Sequence, residues 1–217
     1  MPSLPSSANT DTPHRPAGEE RRRQIIAEAI RCFAAKGFRG TTIRELAGAV
    51  GLTEAALYRY FPSKEALYQA IIDEKIAAPS PIAEVEQAAS AGDDHAVFAG
   101  LAREFLESIE SDPSFLRILL YTGLEDHELA ASFFDQRIRR LREFVAGYIE
   151  RRSREGAFRA VDPKLCARAF LGMVVDYQIV RHVFHQKDVY PAGPEEVAEI
   201  FVTIFLDGMR APEASRG

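Results

Sequence analysis

Between Thr42 and Lys64 the chain gathers guanidinium groups at Arg44 and Arg59, an ammonium at Lys64, hydroxyls at Thr42, Thr53, Tyr58 and Tyr60, a carboxylate at Glu54 and a bare methyl at Ala55. Such a set suits base edges and phosphates. An arginine can pair bidentately with guanine, an alanine methyl fits the methyl of thymine, and a lysine at a helix N-terminus stands where phosphate is already favoured. Other chemistry has thinner support. His182 and His185 are three apart, a spacing that can hold a metal, and Asp188 is near, but no further ligand falls at a convincing spacing. Histidines near a helix C-terminus also simply favour the dipole. No Gly-rich phosphate loop, nucleophile elbow or metal-protease helix is present, and five scattered histidines give no triad. No catalytic, metal or cofactor site is expected, and therefore no enzyme.

Two short helices must hold the Thr42 to Lys64 set. The first opens with a capping box, in which the Thr42 hydroxyl accepts the amide of Glu45 and the Glu45 carboxylate reaches back to the amide of Thr42. Ile43, Leu46, Ala47 and Val50 form one apolar stripe, and Gly51 supplies the left-handed residue that ends it. Leu52 fills the turn, Thr53 caps a second helix, and Ala56, Leu57, Tyr60 and Phe61 face inward before Pro62 stops it. Glu54, Ala55, Tyr58 and Arg59 then lie on the outer side, where the second helix of a helix-turn-helix meets the major groove.

The run T-T-I-R-E-L-A, then G-L-T, then L-Y-R-Y-F-P-S-K-E-A-L closely resembles the TetR (tetracycline-repressor-like) family of bacterial transcription regulators. The likeness covers roughly Glu19 to Pro79, and the tyrosine pair around one residue, the Phe-Pro-Ser-Lys and the Glu-Ala-Leu are its most distinctive letters. Carried over by matching positions, the resemblance implies Arg44, Glu54, Ala55 and Tyr58 in the groove, with Thr42, Tyr60 and Lys64 on phosphates. Thr53 and Arg59 complete the candidate DNA-binding set. Glu54 departs from the frequent basic or small residue, so it either accepts from a cytosine amino group or turns to the helix dipole.

At 217 residues the chain has room for a small domain and a larger one. The net charge of −5 is unevenly placed: residues 15–64 carry ten Lys and Arg against five Asp and Glu, leaving −10 elsewhere. A basic head on an acidic body fits phosphate binding by one end. Met1 to Gly18 has no apolar core segment, no run is long enough to span a bilayer, and a cytoplasmic protein is expected. Cys32 and Cys166 have no C-x-x-C spacing and read as buried free thiols.

The expected fold is all-α, with about nine helices. Residues 1–18, rich in Pro, Ser and Thr, form a disordered tail whose His14 and Arg15, with Arg21 to Arg23, either touch the DNA backbone or form a solvated arm. Residues 19–79 form a three-helix DNA-binding domain with the helix-turn-helix at 42–61 and a fourth helix leading to the body, residues 80–217. A first helix from about Glu19 to Lys36 ends at Gly37, with Phe38 packing back on Phe33. Ser63 caps the fourth helix, and the segment Ala77 to Asp94 reads as an irregular boundary with a short helix at its centre. Asp112-Pro113, Asp162-Pro163 and Gly193-Pro194 each start a helix. A long helix from about Asp126 to Glu155 interleaves its arginines with Glu143, Glu150 and Glu155, the pattern of a solvated face.

Ala169 to Val183 is apolar nearly all round, and the last helix repeats this, so both are expected to pack on their copies in a homodimer through Val174, Arg181, Val197, Ile200, Phe201, Ile204 and Phe205. The resemblance implies the same interface. Asp176, inside the apolar run, either lines a ligand cavity or pairs across the dimer or within the bundle, for instance with Arg103, Arg117 or Arg168. Phe105, Leu116, Tyr121, Phe134, Phe170, Met173, Asp176 and Tyr177 are the candidate pocket. The resemblance implies a ligand-responsive regulator, most often a repressor, that leaves an inverted-repeat operator in double-stranded DNA when a small-molecule effector binds the body. The competing expectation is an architectural or partner-binding DNA protein without an effector.

Overall fold

The computed structural model describes residues 17–125 and 131–211, and within them every regular element is helical. The expected tail lies outside the described residues up to residue 16, and so does the expected start of the long helix at Asp126.

Helices α1 (Ala17–Lys36), α2 (Ile43–Ala49), α3 (Glu54–Tyr58) and α4 (Lys64–Ala77) make the head. α1 ends as its sequence requires. Gly37 adopts φ 73°, its amide donates to Phe33 O at 2.9 Å, and the Phe33 and Phe38 rings stack at 5.8 Å. Ser63 caps α4 by accepting the Ala66 amide at 3.1 Å.

The boundary segment is more regular than expected. Ser80 accepts from Ile82, Pro81 occupies the first helical position and Gly92 closes the end at φ 71°, so α5 (Pro81–Ala91) is a full helix against α6 (Asp94–Ser111). After α7 (Ser114–Leu124), α8 (Ala131–Phe133) runs through a π-helical turn at Phe134–Ile138 into α9 (Arg139–Arg154). α10 (Pro163–His182) and α11 (Pro194–Met209) start at their prolines, and Asp162 caps α10 by accepting from Lys164 and Leu165.

Two cores result. The body core joins α5, α6, α9, α10 and α11 around Phe98, whose ring meets Phe170 and Phe205, each at 4.9 Å. The head core joins Phe33, Leu46, Leu57, Phe61 and Tyr68, but it also takes Phe115, Ile118 and Leu119 from α7 and Phe133 from α8. α7 and α8, which follow α6 in the chain, therefore pack with the head.

Arg151 and Arg152 of α9 serve the packing of the body, while Arg154 stays on the solvated face. Arg152 pairs with Asp94 at 2.7 Å, Arg154 pairs with Glu150, and Arg151 donates to Ala89 O. Arg137 on the π turn caps the C-terminus of α4, donating to Ile76 O at 3.3 Å, Ala78 O at 2.5 Å and Pro79 O.

Candidate nucleic-acid interface

The candidate surface is built from caps. The Thr42 amide donates to Glu45 Oε2 at 2.9 Å and the Glu45 amide donates to Thr42 Oγ1 at 3.2 Å, so α2 begins at a closed capping box. Lys36 joins it from α1, with Nζ 2.5 Å from Glu45 Oε1. The Lys36 hydrogen bond, then the Thr42 amide, lowers the Glu45 carboxyl to about 2. Gly51 takes φ 65°, the Leu52 amide donates to Ala47 O at 2.8 Å, and the Thr53 hydroxyl accepts the Ala56 amide at 3.2 Å to open α3.

With Leu57 and Phe61 held in the head core, Glu54, Ala55, Tyr58 and Arg59 all stand exposed on the other side of α3. Tyr58 keeps 45% of its surface open to solvent although it is a large aromatic residue. Arg44 is exposed on α2, Tyr60 is half-buried, and Thr42 and Thr53 are exposed with their hydroxyls engaged in the two caps. All of them belong to α2, α3 and the residues that flank them, and the two helices pack together.

Lys64 is placed differently from the sequence expectation. Its ammonium points into the head, donating to Phe38 O at 2.8 Å and Thr41 O at 2.9 Å while lying 4.3 Å from the Phe38 ring centroid. Carbonyls of the turn after α1, which have no partner within that helix's own ladder, accept from the cation. Arg21 and Arg22 are likewise engaged, with Val50 O at 2.6 Å and Tyr60 O at 3.2 Å, closing the ends of α2 and α3. Sequence reasoning missed these roles of Lys64, Arg21 and Arg22 because each partner lies more than twenty residues away, beyond any local spacing signal. Arg23 pairs with Glu20.

The eight candidate pocket residues are spread over the body core, the junction with the head and the surface. Phe170 is fully buried between Phe98 and Phe205, Phe105 and Met173 pack at the edge of the body core, and Leu116 is half-buried on α7. Tyr121 belongs to the junction, where its hydroxyl donates to Ala35 O at 3.3 Å beside Arg117, whose Nε donates to Ala34 O at 2.8 Å. Phe134 is exposed. Asp176 is exposed too, so it neither lines an interior cavity nor pairs within the bundle. The period of α10 turns it outward, opposite Phe170 and Val174. Tyr177 lines a cleft of about 520 Å³ between α10, α11 and residues 189–192, with Tyr190, Ile200 and Phe201 among its walls.

His182 and His185 do not form a pair. His182 is buried against Glu110 Oε2 at 3.0 Å, whereas His185 is exposed with φ 57°. Glu110 also receives Arg181 at 3.1 Å and Lys187 at 2.9 Å. Burial, and then the Lys187 charge, lowers the His182 pKa, outweighing the opposing pull of Glu110.

The expected dimer set divides. Val174, Val197 and Phe205 are buried inside one chain, and Arg181 is buried with hydrogen bonds to Tyr177 Oη and Ala192 O. α6 packs against both α10 and α11, so a single chain buries more of them than their composition suggests. Phe201 is half-buried, while Ile200 and Ile204 face outward at 47% and 60% exposure, joined by Leu165 at 68%.

Two protein families match the chain. Residues 25–71 match the family described as bacterial regulatory proteins, tetR family, and residues 96–209 match the AefR-like transcriptional repressor C-terminal domain. The chain is 27% identical over 203 residues to the transcriptional repressor KstR2 of Rhodococcus jostii, spanning 88% of this chain and 92% of that one. It is 30% identical to the nucleoid occlusion factor SlmA of Haemophilus influenzae over 76% of each chain. Among solved structures, AibR in complex with isovaleryl coenzyme A and operator DNA superposes with a TM-score of 0.63 at 25% identity, over 85% of this chain and 97% of that one.

Proposed function

The chain belongs to the tetR family of bacterial regulatory proteins, and we propose that it is a homodimeric repressor that leaves its operator when a small molecule binds its helical body. The observation that carries this reading is the exposed outer side of α3, where Glu54, Ala55, Tyr58 and Arg59 stand clear while Leu57 and Phe61 anchor the helix from behind. Arg44, Tyr58 and Arg59 are the proposed base and backbone contacts, with Thr42, Thr53 and Tyr60 beside them. A two-fold dimer would set two such helices about 34 Å apart, in successive major grooves of an inverted repeat.

Repressors among the relatives, and a solved relative holding both isovaleryl coenzyme A and operator DNA, support effector control. The effector must favour a dimer whose heads no longer match the groove spacing. The proposed route from body to head runs through α7 and the π turn after α8, since Arg117, Tyr121 and Arg137 grip backbone carbonyls at the ends of α1 and α4. Among the described residues no helix is long and apolar enough to cross a membrane. The protein is proposed to act in the cytoplasm, by binding and without catalysis.

The test is fluorescence anisotropy against the DNA immediately upstream of its own gene, titrated with salt and with scrambled DNA as control. Tight, sequence-dependent binding of two subunits per site is expected. Binding equal to the scrambled control would favour the second reading, an architectural DNA protein, to which the 30% identity with a nucleoid occlusion factor points.

A further inference from the structure

The outward face of α10 is self-complementary about Gly172. Leu165 and Ile179 lie seven residues before and after it, Arg168 and Asp176 four before and after, and Ala169 and Val175 three before and after. Helical periodicity puts all seven within one stripe. Phe170, Val174 and Gln178 point the opposite way, into the body, while Leu165, Arg168, Ala169 and Asp176 are exposed.

Arg168 and Asp176 cannot satisfy each other within one chain, because eight residues of helix separate them by about 12 Å. Neither makes an ion pair or hydrogen bond among the described residues. Laying a second α10 antiparallel across the first at Gly172 changes this. Arg168 then faces Asp176 of the partner subunit, twice by symmetry, and Leu165 faces Ile179 of the partner subunit. Gly172 lets the helices approach, as among the described residues the group near the space a Cβ would occupy is the flexible end of Arg168, with Nη1 at 3.1 Å.

We infer that, where two copies of the chain meet on this face, reciprocal Arg168–Asp176 ion pairs about Gly172 fix their register. This rests on the homodimer proposed above and names the contact that makes it selective for itself. Opposite charges across an interface set register, and like charges placed together oppose association.

Arg168→Glu makes two acid–acid contacts in its own homodimer, and Asp176→Arg makes two base–base contacts. Each variant alone should weaken dimerisation about tenfold or more, measured by analytical ultracentrifugation. Mixed in equal amounts, the two should recover a dimer that native mass spectrometry identifies as the heterodimer, since only that pairing restores both ion pairs. Both side chains are exposed and unbonded, so helical circular dichroism should match the parent. Variants that dimerise like the parent and mix statistically overturn the pairing while leaving the dimer intact. A parent chain that stays monomeric instead overturns the homodimer, and the pairing with it.

Discussion

The Lys64 ammonium donates to the carbonyl of Phe38 at 2.8 Å and lies 4.3 Å from the centroid of that residue's ring. The start of α4 is thereby fastened to the turn that ends α1, and with Thr41 O as a second acceptor the cation holds the segment leading to the α2 capping box.

This placement sets the expected behaviour of Lys64→Ala. Losing hydrogen bonds from a charged donor should cost about 1.5–3 kcal/mol of stability, read from urea unfolding. The salt dependence of DNA affinity should stay nearly unchanged. A slope smaller in magnitude by about 2 per dimer would instead put one phosphate on each Lys64.

The outer side of α3 should behave in the opposite way. Tyr58→Ala and Arg59→Ala remove exposed side chains, so thermal unfolding should move little. Affinity for the operator should fall by about 1–3 kcal/mol for each base that is no longer read. Parallel titrations on operator and scrambled DNA separate the two residues: a fall on the operator alone marks a base contact, and an equal fall on both marks a phosphate contact.

Buried between α4 and α7, the Tyr68 hydroxyl bonds Thr122 Oγ1, which in turn donates to Ile118 O at 2.8 Å. Thr122→Val keeps the shape but strands the Tyr68 hydroxyl away from water, at an expected cost of about 1–3 kcal/mol. Adding Tyr68→Phe should recover part of that loss. Full additivity of the two in a double-mutant cycle would show that the hydroxyls do not act together.

His182 predicts a pH dependence. Its folded-state pKa is lowered from the ordinary 6.5 by burial and by Lys187, so the unfolded chain takes up the proton first. The resulting stability is full above 6.5 and lost as pH falls from there through the folded value. His182→Gln should flatten this part of a urea-midpoint profile, and an unchanged profile would assign the slope to other groups. Glu110 stays ionised there: burial opposes its charge, but Lys187, Arg181 and His182 together lower its pKa.

What the sequence determined by itself was local. The capping box at Thr42 and Glu45, the ends at Gly37 and Gly51, the caps at Thr53 and Ser63 and the proline starts of α10 and α11 were all legible. Each depends on groups within a few residues, where spacing dictates which donor meets which acceptor. The outer side of α3 followed, because one helical period fixes what lies opposite a buried leucine. Only the tertiary structure decided where long side chains went. Lys64 reaches back 26 residues, Arg21 reaches 29 forward, and Tyr68 meets Thr122 across 54. It also decided that α6 covers Val174, Val197 and Phe205, while Asp176 is left outside. An apolar residue in the sequence states that it must be buried; which neighbour buries it, this chain or its copy, depends on how the helices pack.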